Sequence, residues 1–184
     1  NSSALLIDGV FLQLFCFLKG LPVKRYHGPD FMNDILLKND CKKIIIGGSA
    51  SNKYFLKENL IDSFYPLPYS KDCSYLVDYF VSQYDFSTLD QKVIIFISLG
   101  LLKQEIFTLL LLKHINIHYP SKSSFVSFIP IGAAADFLSG KKVRTSKIFQ
   151  IFGLEWFFRL LYEPRIIPRN FRSLKALLYF FLKG

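Results

Sequence analysis

Lys92-Val93-Ile94-Ile95-Phe96-Ile97-Ser98-Leu99-Gly100 runs through five successive apolar residues without a polar alternation, then stops at a glycine. A strand with one wet face alternates, whereas a strand covered on both faces does not. This run therefore reads as an interior strand of a parallel sheet. Helical spacing follows from Lys103 to about Leu112. The same order recurs on either side. Residues 43–46 lead into Gly47-Gly48-Ser49-Ala50-Ser51, with helical spacing predicted over 53–64 (Phe55, Leu56, Leu60, Ile61). Residues 124–131 end at Gly132-Ala133-Ala134-Ala135. A β-rich run, a glycine turn and a helix, repeated, make an open, mostly parallel α/β sheet. In such sheets ligands lie beyond the carboxyl ends of the strands. That puts Asp8, 47–51, 100–105 and 132–136 on one rim.

The flanks are less regular. Residues 4–7 read as a strand edge ending at Asp8-Gly9, and 10–18, apolar on every side, as a buried helix closed by Gly20 and Pro22. Helices are predicted from about Phe31 after Pro29-Asp30, and over 73–84 after the breaks at Pro66 and Pro68. Ile115, Ile117 and Tyr119 make the segment around His114 and His118 alternate like a strand. Beyond Gly140 the rhythm stops, with breaks at Gly153, Pro164 and Pro168. The expected division is an α/β domain over 1–143 and an appendage over 144–184.

The chain has 184 residues, 51% hydrophobic and 20% charged, which excludes a disordered polymer. Its mean hydropathy of +0.29 brings a membrane into question. Yet Lys103, Lys113 and Lys175 interrupt every apolar run short of the roughly 18–20 residues a spanning helix needs. Surface association stays open. Of the net +9, almost all lies in 141–184, where Lys141, Lys142, Arg144, Lys147, Arg159, Arg165, Arg169, Arg172, Lys175 and Lys183 face only Glu155 and Glu163. Aromatic residues (Trp156, Phe157, Phe158, Tyr162, Phe171, Tyr179 and others) are interleaved with them. Such a segment suits anionic lipid, phosphorylated ligands or nucleic acid, or is an ordinary helical tail with a solvated basic face. Cys16, Cys41 and Cys73 are widely spaced with no Cys-x-x-Cys, which fits a reduced, cytoplasmic chain.

None of the turns at Gly47, Gly48, Gly100 or Gly132 is a dinucleotide fingerprint or a P-loop. Each by itself connects a strand to a helix; together they suit a nucleotide or sugar-phosphate, because helix N-termini favour anions. Asp8 is either a general base or ribose ligand, or a turn aspartate. In Lys103-Gln104-Glu105 an amide can reach a sugar hydroxyl and a lysine a phosphate, unless this is only a solvated first turn. Asp136 has N-capping as its plain alternative. Arg25, in a polar loop with His27, has the fork that binds a diphosphate. No third ligand accompanies His114 and His118, and no Asp-x-Asp occurs, so no metal and no other cofactor is expected. A hydrolase triad finds no support.

Over 129–144, Ile-Pro-Ile-Gly-Ala-Ala-Ala-Asp-Phe-Leu-Ser-Gly-Lys-Lys-Val-Arg is followed by Gly153-Leu154-Glu155-Trp156-Phe157-Phe158-Arg159-Leu160 and Glu163-Pro164-Arg165. In order and spacing this resembles the WecG/TagA/CpsF glycosyltransferase family (N-acetylmannosaminyltransferase-like, glycosyltransferase family 26). Asp8-Gly9 with Arg25 and Gly28, and Gly100 with Lys103-Gln104-Glu105, agree. The resemblance spans essentially the whole chain.

It implies a Rossmann-like fold of the GT-E kind with a helical basic appendage. The implied activity is inverting, metal-independent transfer of N-acetylmannosamine, its uronic acid or a related hexose from a UDP-sugar. The implied acceptor is a polyprenyl-diphosphate-linked sugar at the inner membrane face, in the synthesis of cell-surface polysaccharide such as teichoic acid. The base would be Asp8, with Arg25, Gln104 and Asp136 in the substrate pocket. Arg159, Arg165 and Arg169 of the appendage would meet the diphosphate or an anionic membrane. Nucleic acid is not an expected partner, since acids and bases nearly balance across 1–140. The rival is a non-catalytic relative or fragment that binds UDP-sugar or membrane without turnover. The chain departs from the family pattern at Leu102, where the motif has proline, at Thr145-Ser146, where it has Ala-Pro, and at Asn170, where it has tyrosine. Residues that precede Asp-Gly in the family, including a Thr-x-Asn element, are expected to be missing.

Overall fold

The structure, a computed structural model, describes residues 13, 16–21, 23, 26–38, 40–49, 52–142 and 179. The chain divides into two compact units, Gly28–Lys142 and a second drawn from its two ends. The expected boundary at 143/144 and the appendage lie outside the described residues, Tyr179 excepted, as do Asp8, Arg25, Arg159, Arg165 and Arg169.

Within Gly28–Lys142 the elements are α1 (Gly28–Leu36), β1 (Lys42–Gly47), α2 (Lys53–Lys57), β2 (Ser63–Tyr65), α3 (Cys73–Val81), β3 (Val93–Ser98), α4 (Lys103–His118), β4 (Val126–Pro130) and α5 (Ala134–Leu138). The strands form one sheet in the order β2-β1-β3-β4, parallel throughout. The expected Rossmann-like α/β arrangement is therefore present. Ile44 pairs with Ile95 and Ile46 with Ile97, and these side chains share one face with α3 and α4 residues such as Phe80 and Phe107. Ile45 and Phe96 point to the other face, among Met32, Phe55 and Ala135 of α1, α2 and α5. Both faces are covered, which is why the 92–100 run has no polar alternation.

Three local expectations are corrected. The helical spacing over 53–64 breaks at Lys57. Asn59 turns to φ +54, and the Asp62 carboxylate accepts the Lys43 amide at 2.7 Å, which starts β2 beside β1. Positive φ at a polar residue is a common helix stop, and apolar spacing alone does not register it. The 114–119 segment is not a strand. The helix α4 runs on to His118 because Phe107, Leu111 and Ile115, four apart, are all fully buried on one stripe. His114 and His118 then lie one turn apart, with ring centroids 4.4 Å apart and ring planes tilted by 40°. In the second unit, residue 13 and residues 16–18 are helical as predicted, but Phe17 and Leu18 are exposed rather than buried. An apolar residue marks what can be covered, not what is.

Candidate functional site at the strand carboxyl ends

The chain leaves β1 toward β2 and then returns past β1 to β3, so the winding reverses between β1 and β3. A crevice opens at the carboxyl ends where such a reversal occurs. Gly47-Gly48 closes β1, Gly100 follows β3, and Gly132 follows β4. Of the rim expected from the sequence, 47–49 and the Gly100 and Gly132 turns stand at the carboxyl ends of β1, β3 and β4. Arg25 and Asp8 lie outside the described residues and are not placed.

Gln104 stands in the first turn of α4, where its side-chain Oε1 accepts the Gly132 amide at 3.0 Å and its Nε2 donates to Glu105 Oε1 at 3.0 Å. One amide therefore ties the second turn to the third. Asp136 lies inside α5, so it is not the N-cap; that place belongs to Ala133. Its Oδ1 accepts from the Ser49 hydroxyl at 3.1 Å and sits 3.8 Å from Lys141 Nζ. The first bond joins the first turn to the third. The second, with Lys141 half exposed, adds little energy but keeps the carboxylate in place. Lys103 is held by the loop that follows β2. Its ammonium donates to Ser70 O and rests 5.7 Å from the Tyr69 ring centroid, on the loop after β2. A carbonyl and a ring face together satisfy it locally.

The sequence did not single out Ser98 or Asn52, and both lie directly under the first turn. Gly47 and Gly48 take φ of +75° and +79°. A Cβ on Gly48 would collide with Asn52 Nδ2 and lie 2.7 Å from Ser98 Oγ, so only glycine fits. Ser98, 6% exposed at the end of β3, donates its hydroxyl to Gly132 O at 2.9 Å. Asn52 is fully buried. It occupies the N-cap position of α2 without capping it, and its Nδ2 turns back to Gly47 O at 3.3 Å. Its Oδ1 has no partner, a state that costs about 1–3 kcal/mol in a protein interior. A polar residue before a helix reads as a cap in any sequence, which hides this use.

Chemically, this rim offers glycine-lined backbone and fixed polar side chains to a ligand with hydroxyl and anionic groups. Among the described residues, no three His, Cys, Asp or Glu come together as a metal site.

The description "Glycosyl transferase WecG/TagA/CpsF family" belongs to a family model that matches residues 1–184, the whole chain. The chain belongs to this family. No solved structure matches it. Membership of the WecG/TagA/CpsF family makes the chain a glycosyltransferase at the level of reaction class, with a sugar donor and an acceptor. Leu102, at the family-motif proline, takes φ +67°, which a proline ring locked near −65° could not adopt. No helix among the described residues is long and apolar enough to cross a membrane.

Proposed function

We propose that the chain is an inverting, metal-independent glycosyltransferase. It moves N-acetylmannosamine, its uronic acid or a related hexose from a UDP-sugar to a polyprenyl-diphosphate-linked sugar at the inner face of the membrane. The observation that carries this is the family match over the whole chain. The convergence of the Gly47-Gly48, Gly100 and Gly132 turns at the sheet's reversal point supports it.

The acceptor hydroxyl gives its proton to the Asp8 carboxylate as its oxygen attacks the anomeric carbon. The bond to the UDP oxygen breaks on the opposite side, and the configuration inverts. UDP leaves with an added negative charge. With no carboxylate pair of the Asp-x-Asp kind in the sequence, that charge falls to Arg25, to Arg159, Arg165 and Arg169, and to backbone amides of the glycine turns. Gln104 and Asp136 line the sugar side of the crevice. The basic appendage holds the enzyme against anionic lipid, where the acceptor resides.

A UDP-release assay with a panel of UDP-sugars and a lipid-linked acceptor tests this. Asp8→Asn is expected to abolish transfer while binding UDP nearly as well as the parent. Wild-type turnover by that variant removes Asp8 as the base. Wild-type UDP binding without sugar transfer from any donor favours the non-catalytic relative.

A further inference from the structure

We propose that Asn52 is a positioning residue for the ligand-binding turn, fixing Gly47-Gly48 from below at the expense of stability. Asn52 and Ser98 are both buried and both abut the underside of Gly48. Asn52 Nδ2 holds Gly47 O, while the single Ser98 proton goes to Gly132 O. Asn52 Oδ1 is left without a partner.

Between them the two side chains clamp the first turn and the third, and Gln104 and Ser49 complete the lacing from above. A leucine at 52 would fill similar volume with no orphaned oxygen. A residue kept for packing alone would not be an amide here. Strain and unpaired polar groups persist where the surroundings hold a working geometry. The cost falls on the turn that borders the crevice, at the place where the winding reverses. Asn52 touches no ligand, because its side chain is closed off from solvent. It acts through the backbone it holds.

The proposal rests on the transferase assignment for what binds the turn, but not for the hold on the turn itself. The test uses the full chain with Asn52→Leu, and with Asn52→Ser as a smaller polar control. Three quantities are read: the thermal midpoint, amide hydrogen exchange at 47–49, and UDP affinity by calorimetry. Asn52→Leu is expected to keep or raise the midpoint, to speed exchange at 47–49, and to weaken UDP binding about tenfold. Asn52→Ser, which keeps a hydroxyl, is expected to fall between Asn52→Leu and the parent in exchange and affinity. Unchanged exchange at 47–49 in Asn52→Leu overturns the proposal whatever UDP does. Faster exchange with parental UDP affinity overturns it as well, since the turn would then loosen without consequence. A parent that binds no UDP sinks the transferase assignment, and the exchange comparison still decides whether Asn52 holds the turn.

Discussion

The two ends of the same sheet solve the same problem differently. At the amino end, buried or tethered polar groups find partners. Lys43, 5% exposed, donates its ammonium to Leu36 O at 2.8 Å and its amide to Asp62. Lys122 Nζ reaches Leu89 O at 2.6 Å. At the carboxyl end, two successive glycines sit at positive φ, Leu102 is forced there as well, and Asn52 Oδ1 is buried unpaired. Among the described residues it is the one buried side-chain atom without a partner. Positive φ at a residue with a side chain occurs at both ends, at Asn59 beside Asp62 as well as at Leu102, so among the described residues the unpaired buried oxygen is what sets the carboxyl end apart. Under the proposed function, that oxygen lies beside the turn that borders the ligand.

The sharpest way to break this contrast is Gly48→Ala. It forces an L residue to φ +79° and drives a methyl into Asn52 and Ser98. The expected loss is about 2–4 kcal/mol, with the thermal midpoint down by roughly 10 °C. UDP binding should fall with it. A parental midpoint would mean the turn is far softer than its contacts imply.

Lys43→Met at the opposite end should behave otherwise. It leaves Leu36 O without its ammonium and costs about 1 kcal/mol in chemical denaturation, with UDP affinity unchanged. If this variant weakens UDP binding, the two ends are not independent. Leu102→Gly should do the reverse and stabilise by about 0.5–1 kcal/mol, since the side chain is 69% exposed and its positive φ is released. A destabilised Leu102→Gly would show that the exposed leucine has a packing partner in the working protein.

The smallest effect concerns pH at the end of α4. Burial first, then the neighbouring His118, pushes the His114 pKa below its ordinary 6.5. The unfolded chain then takes up the proton first. Stability is complete above pH 6.5 and declines as the pH falls from there through the lowered native value. His114→Gln should flatten that part of the midpoint-against-pH curve. An unaltered slope would assign it to other groups.

The layout of the sheet was legible because its interior strands carry an unbroken apolar signal: Ile94–Ile97 can be buried on both faces only between two layers of helices. Gly47, Gly48 and Gly132 were legible because strand ends that turn sharply need glycine. The short edge strand Ser63–Tyr65 was not. Its start depends on Asp62 bonding to Lys43, nineteen residues away. The extent of α4 was hidden by a local alternation around His114 that long-range burial of Ile115 overrides. Ser98 and Asn52 were hidden for the same reason: their partners, Gly132 and Gly47, are set by how three turns converge.

By itself, then, the sequence determined the α/β rhythm, the glycine turns at the strand carboxyl ends, the family, and the basic character of the last quarter of the chain. Periodicity and motif spacing are properties of neighbours along the chain. Only the tertiary structure decided which polar side chains lace the turns together and which buried oxygen is left unpaired. Those outcomes depend on groups from distant strands competing for the same few hydrogen-bond partners.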